Sequence, residues 1–234
     1  MTWLRQSREP EVMDDPALPV LEHTHALRGL TRINRWSTSL RIVASPIVAL
    51  ARTNGRAPLR VLDVATGAGD VPIGLWRRAS RAGVQLEIEG CDRSPTAIAY
   101  ASAQAQRAGA RIRFFAHDLF GDRSLGEYDV IVSSLFLHHL DFEQASLALA
   151  RMAVMARHLL LINDLRRSYP GLCLAVIGTR LLSSSSVVHR DGPRSVRAAY
   201  TMSEAVALAH AADLRDARVV PRWPCRFLLT WHRP

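Results

Sequence analysis

Leu59-Arg60-Val61-Leu62-Asp63-Val64, followed by Ala65-Thr66-Gly67-Ala68-Gly69-Asp70, is the stretch that decides the fold. Its first six residues are an apolar run of strand length, and from residue 70 to residue 82 the apolar period is helical. The turn between them holds two glycines, which permit a tight bend and close approach of backbone to a ligand. A helix opening at Asp70 leaves free N–H donors facing that turn. Strand, glycine turn and helix in this order make the first half of a βαβ unit.

The alternation continues outward. Further strands are expected over 84–91, 112–116, 128–134 and 158–162, with helices over 96–108 and 141–157, the latter capped by Asp141. Residues 218–220 and 227–231, separated by Pro221 and Pro224, read as a terminal antiparallel pair. The helix over 202–212 carries the capping box Thr201-Met202-Ser203-Glu204, and 170–182 is an apolar helix followed by a serine loop at 183–186. Before the first strand, residues 1–16 read as a loose arm and 17–51 as helical, with Pro46 starting or kinking a second helix and Asn54-Gly55 stopping it. Right-handed crossovers place the C-terminal ends of all parallel strands along one edge, where a ligand should sit.

Four features fall at those strand ends. The glycine turn is the first. Asp92 is the second, ending the next strand, where a carboxylate can accept both hydroxyls of a ribose. Asp118-Leu119 after the third strand can flank an adenine, and Ser133-Ser134-Leu135-Phe136-Leu137-His138-His139-Leu140 closes the fourth.

Together these residues resemble the motifs of class I S-adenosylmethionine (SAM)-dependent methyltransferases, over about residues 58–165. The resemblance implies a Rossmann-like α/β fold with a seven-stranded sheet, mostly parallel with one antiparallel terminal strand, and a helical N-terminal cap. It divides the chain into an arm and cap over 1–54 and a methyltransferase domain over 55–234, with a lid insertion at about 165–200. It implies SAM as cofactor and S-adenosylhomocysteine as product. Asp63, Ala65, Thr66, Gly67 and Gly69 would border the methionine part, with Ala65 standing where the family has its first glycine. Asp92, with Arg93 beside it, would hold the ribose. Asp118 and Leu119 would meet the adenine, and Ser134 and Leu135 would pass behind the sulfonium. The competing reading is an NAD loop, but Asp70-Val71-Pro72-Ile73-Gly74 supplies no third glycine at the G-x-G-x-x-G spacing.

An oxygen nucleophile must lose its proton before or during methyl transfer, and a histidine can take it or stabilise a phenolate already formed. His139 is the first candidate, His25 the second and His138 the third, with His23 also in range; each equally fits a cap, a core hydrogen bond or a surface place. The insertion is apolar, with Arg166, Arg167, His189 and Arg190 on its flanks to meet a phenolic or anionic head group. The expected acceptor is therefore a small lipophilic compound, quinone-like or polyketide-like, methylated on a hydroxyl. Carbon methylation of a quinone precursor is the alternative, and a non-catalytic SAM-binding or RNA-binding protein is the alternative of another class. The Asn/Asp-Pro-Pro-aromatic run of base amino-methyltransferases is absent after the fourth strand. Asp141, Asn163 and Asp164 lie near the metal ligands of catechol O-methyltransferases, but in reversed Asn/Asp order, and no metal is expected.

Composition narrows the partners. All 30 basic residues are arginine, and with no lysine anywhere Schiff-base chemistry is excluded. The net charge of +9 is scattered along the chain rather than gathered with aromatics, so no nucleic-acid partner is expected and codon bias accounts for the arginine. No apolar run of spanning length and no secretory leader is read, and three widely spaced cysteines suit reduced thiols, so a cytoplasmic protein is expected.

Overall fold

The computed structural model describes residues 4–15, 17–53 and 57–234, so the proposed stop at Asn54-Gly55 and the ends of the arm, including Pro16, lie outside the described residues. Five parallel strands form the heart of one sheet: β1 (Leu59–Val64), β2 (Leu86–Asp92), β3 (Ile112–Ala116), β4 (Tyr128–Ser134) and β5 (Ala156–Leu165). Two more close the chain, β6 (Arg218–Arg222) and β7 (Arg226–His232), and β7 inserts antiparallel between β5 and β6. The order β3-β2-β1-β4-β5-β7-β6 reverses beside β1, which creates a crevice between the C-terminal ends of β1 and β4.

Helices α1 (Val20–Trp36), α2 (Ser39–Thr53), α3 (Asp70–Ala82), α4 (Pro95–Ala108), α5 (Phe142–Met155), α6 (Tyr169–Leu182), α7 (Ser186–Ala198) and α8 (Met202–Ala211) complete the fold. One apolar layer joins α2 and α3 to the sheet through Ile47, Leu75, Val61 and Leu161; the other joins α5 and α8 through Leu149, Met152 and Leu208. The capping boxes at Asp141 and Thr201 form as their spacing predicts.

Two expectations change and one element is added. The break in the N-terminal helical region falls at Ser37-Thr38, where Thr38 takes a left-handed φ of 60°, and Pro46 is carried inside α2. Residues 186–198, given by the sequence only as part of the lid insertion, form α7 across Gly192-Pro193. A side chain at Gly192 would meet Thr179 Cγ2 at 2.5 Å, so this glycine lets α7 pack closely on α6. Over its described residues, 4–15, the arm is not loose. Asp191 accepts hydrogen bonds from the backbone N–H groups of Val12 (2.9 Å) and Met13 (3.0 Å), and Gln6 and Ser7 donate to carbonyls at the end of α7. Helices α1, α6 and α7 pack on one another above the strand ends, so arm and cap roof the crevice.

Candidate active site

The crevice opens into a cavity of about 1190 Å³, and most of the sequence-derived site residues converge on it. The turn after β1 takes left-handed geometry at Ala65 (φ 56°), Gly67 (52°) and Gly69 (73°). Alanine in the place of the family's first glycine is accommodated at a strain of about 1 kcal/mol. Ser133 Oγ donates to the Val64 carbonyl at 2.8 Å and ties the end of β4 to the start of this turn.

Asp63, Ala65, Thr66, Gly67, Asp92, Arg93, Asp118, Leu119, Ser134 and Leu135 all line the cavity; Gly69 does not. A Cβ at Gly69 would meet Ala101 Cβ at 2.8 Å and Phe114 at 3.0 Å, so Gly69 serves the packing of α3 and α4. A Cβ at Gly67 would meet nothing within 4 Å, leaving a cradle on the cavity side. Asp92 is fixed by backbone donors, Gly67 N–H to Oδ2 (2.8 Å) and Ser94 N–H to Oδ1 (2.9 Å), and each oxygen keeps a lone pair for a hydroxyl.

Asp63 is fully buried with Thr66 Oγ1 donating to Oδ2 at 2.7 Å, while Oδ1 has no partner. Burial pushes its carboxyl up to about 8, opposed by the Thr66 bond and helped by the charges of Asp70 and Asp92. An orphaned buried acid oxygen beside an open glycine cradle and a ribose-type carboxylate fits a nucleoside carrying a cationic amino-acid tail.

The histidines are sorted by the fold. Asp164 Oδ2 accepts the backbone N–H groups of Phe136 (3.1 Å), Leu137 (2.6 Å) and His138 (3.3 Å), and Oδ1 accepts Leu165 N–H and lies 2.6 Å from His138 Nδ1. Burial opposes ionisation of Asp164, but His138, Leu165 and His139 outweigh it and hold the carboxyl below its usual range. With Asp164 ionised, His138 Nδ1 donates, and Nε2 is the free nitrogen, 3.7 Å from Glu11.

His139 instead pairs with Asp14 through Nδ1 at 2.9 Å and lies 3.9 Å from Glu11 through Nε2. Burial works against its charge, yet the Asp14 hydrogen bond and the charges of Glu11, Asp14 and Asp164 push its pKa up to about 9. His139 is therefore a cation at neutral pH, able to stabilise an anion but poor at taking a proton. Glu11, His138 and His139 bring ligand-type atoms within 4.8 Å of one another, and the attraction of Glu11 to cationic His139, which stacks on His138 with ring centroids 4.4 Å apart, accounts for their convergence.

His25 is exposed, bonded to Ser184 Oγ at 3.0 Å, and does not line the cavity; His23, two positions earlier on α1, does. Arg166, Arg167, His189 and Arg190 also lie outside the lining. Arg167 is committed to Leu4 O, Ala199 O and Glu204, and His189 Nε2 to Ser183 O at 2.7 Å. The catechol-type trio does not assemble either, since Asp141 caps α5 and both oxygens of Asp164 are engaged.

Glu11 and Asp14 escaped sequence reading because an unpatterned arm carries no period, and Asp164 was read only for its place near a metal-type trio, not as the partner of His138. Arg226 escaped as well. At 2% exposure it donates Nη2 to Ser37 Oγ at 2.6 Å, while Nε and Nη1 have no partner. Burial lowers its pKa to about 10 against the charges of Asp164 and Asp70.

Residues 61–158 match the family model described as a methyltransferase domain. Among curated proteins, the chain is 35% identical over 113 residues to a release factor glutamine methyltransferase of Bordetella pertussis, covering 48% of this chain and 39% of that protein. It is 35% identical over 95 residues to a demethylmenaquinone methyltransferase of Thermus thermophilus, covering 38% and 40%. The chain thus spans about two fifths of the length of the curated relatives it matches. Among solved structures it resembles a magnesium protoporphyrin IX methyltransferase of Synechocystis PCC 6803 with bound S-adenosylhomocysteine, at 20% identity, 82% coverage of each chain and a TM-score of 0.56. Residues 61–158 therefore carry a methyltransferase domain, in a Rossmann-like sheet shared with methyltransferases.

Proposed function

We propose that this methyltransferase-domain protein transfers the methyl group of SAM to a hydroxyl of a small lipophilic acceptor, phenolic or quinol in character. The observation that carries the reading is His138, buried on the cavity wall with Nδ1 anchored on Asp164 and Nε2 unengaged by any hydrogen bond. SAM supplies an electrophilic sulfonium methyl, and the protein's part is to align the acceptor and manage one proton. Asp63 Oδ1 would meet the ammonium of the methionine part, Asp92 the ribose hydroxyls and Asp118 the adenine side. His138 takes the hydroxyl proton at Nε2 while Asp164 stabilises the imidazolium that results, and cationic His139 holds the developing oxyanion.

The rest of the wall is apolar. Leu27, Leu30 and Ile33 of α1 face Leu174, Ala175 and Leu182 of α6 across the cavity, which suits a lipophilic body. A quinone-precursor carbon is the second acceptor reading, favoured by the local identity to the demethylmenaquinone methyltransferase. Incubation with SAM and a panel of hydroxynaphthoquinols and alkylphenols tests both. The expected result is S-adenosylhomocysteine release with a product whose new methyl carbon resonates as a methoxy group. A ring methyl would move the assignment to carbon, and no turnover across the panel with tight S-adenosylhomocysteine binding would favour a non-catalytic binder.

A further inference from the structure

The mouth of the cavity carries large apolar side chains in water. Val20, Trp36, Leu174 and Trp223 both line the cavity and stand 63%, 73%, 45% and 75% exposed. Large apolar side chains that rim a cavity and remain in water mark a surface for something apolar. The strip continues along α6. Leu174, Ile177 and Leu181 are spaced by three and four residues, so they share one face, and Ile177 and Leu181 are 57% and 78% exposed. Leu21 extends the rim on α1, which packs against α6.

Arginines surround this face. Arg28, Arg32 and Arg35 repeat at four and three residues as an exposed stripe on α1, and Arg32 donates to the Leu182 carbonyl at the end of α6. Arg180 lies beside Leu181, and Arg41 and Arg222 border the shallow groove that holds one side of Trp223. Among the described residues no carboxylate lies within 4.0 Å of any of these six, as is true of most arginines of the chain, so it is their place beside the apolar rim and the α6 strip that marks them. Unpaired cations encircling exposed tryptophan and leucine side chains match an anionic lipid surface, where the apolar groups enter the headgroup boundary and the guanidinium groups meet phosphate.

We propose that this face docks the protein on anionic membranes, with the cavity mouth opening against the bilayer so that a lipophilic acceptor enters from the lipid rather than from water. The acceptor half of this inference rests on the function proposed above; the docking half does not. No helix among the described residues is long and apolar enough to cross a membrane, so the contact is peripheral. The rim, the α6 strip and these arginines belong to α1, α2, α6 and the end of β6 with its following turn, and the cofactor-type residues lie at the strand ends lining the same cavity.

The test is co-sedimentation of the full chain, loaded with S-adenosylhomocysteine, with vesicles of equal phosphatidylglycerol and phosphatidylcholine or of phosphatidylcholine alone. The expected result is binding at least about tenfold stronger to the anionic vesicles, falling steeply with salt, with a blue shift of tryptophan emission. Ile177→Asp with Leu181→Asp, or Arg35→Gln with Arg180→Gln and Arg222→Gln, should each weaken it about tenfold or more while S-adenosylhomocysteine affinity stays unchanged. Equal behaviour of wild type and both variants overturns the proposal, as does wild-type protein that ignores anionic vesicles at moderate salt. A wild-type dimer that becomes monomeric in the Asp variant, without vesicle binding, assigns the face to a second copy instead. Loss of S-adenosylhomocysteine binding in wild type would sink the methyltransferase reading and leave the docking result standing.

Discussion

Asp164 Oδ1 lies 2.6 Å from His138 Nδ1, while Oδ2 of the same carboxylate gathers the backbone N–H groups of residues 136–138. One buried acid therefore shapes the turn after β4 and orients the ring that the turn presents. The pair should behave as a unit in catalysis. His138→Asn is expected to lower kcat by about 10²–10⁴, the span of a general base, with S-adenosylhomocysteine affinity unchanged. Asp164→Asn should lower kcat and also destabilise the fold by about 2–3 kcal/mol, because an amide cannot accept all five donors. The double variant should turn over no more slowly than His138→Asn alone. Steady-state kinetics and urea titrations measure these; additive losses in kcat would sink the coupled role.

Asp63 gives a pH signature. Its carboxyl titrates near 3.8 when unfolded and about 8 when buried, so the folded state binds the extra proton. Ligand-free protein therefore loses stability as pH rises through that window, and a cation at Oδ1 reverses the loss. S-adenosylhomocysteine should bind about tenfold tighter for each pH unit gained between about 6 and 8, with proton release visible by calorimetry in buffers of different ionisation heat. Asp63→Asn should flatten both slopes. A pH-independent affinity in wild type would remove the ammonium from Asp63.

The two glycines of the turn should fail differently. Gly69→Ala forces a side chain against Ala101 and Phe114 at a φ of 73°, and is expected to cost about 2–4 kcal/mol of stability. Gly67→Ala meets open space at a φ of 52°, so its stability cost should be only about 1 kcal/mol. Its Cβ nevertheless fills the cavity-side cradle, and S-adenosylhomocysteine affinity should fall at least about tenfold. Thermal melts with and without ligand separate the two, and equal affinity in Gly67→Ala would place the cofactor elsewhere.

The sheet was legible because each strand end carries its own mark. Leu59–Val64, Ile112–Ala116 and Tyr128–Ser134 are apolar runs closed by a glycine turn, an acid or a serine pair, and their observed limits coincide with the expected ones. Local marks of this kind do not depend on distant contacts. The cap was harder. Helix α7 forms across Gly192-Pro193 because Asp191 is held by the arm and Gly192 by Thr179, contacts 179 and 13 positions away in sequence. The same arm delivers Glu11 and Asp14 to the histidines, which is why the sequence alone ranked His139 as a base when its neighbours make it a cation. His23 and His25 were inseparable by spacing until the docking of α1 turned one inward and the other to Ser184.

Arg167 offers the sharpest contrast between a substrate contact and a structural clasp. Read from the sequence, it flanks an apolar insertion and could greet an anionic head group. In the fold its side chain is 7% exposed and outside the cavity. Its guanidinium ties three distant pieces together: the arm through Leu4 O (3.0 Å), the end of α7 through Ala199 O (2.6 Å) and α8 through Glu204 (2.7 Å). Glu204, whose pKa the Arg167 bond helps hold down against partial burial, also closes the cap of α8. Removing the cation leaves two carbonyls and a carboxylate short of a donor, so Arg167→Ala should cost about 2–3 kcal/mol. Because the arm carries Glu11 and Asp14, loosening it should also lower the pKa of His139 from about 9 toward its ordinary 6.5, readable by NMR titration of the ring. KM for the acceptor should change little once the protein is compared below its lowered melting temperature. An acceptor KM that rises tenfold at undiminished stability would instead return Arg167 to the substrate site.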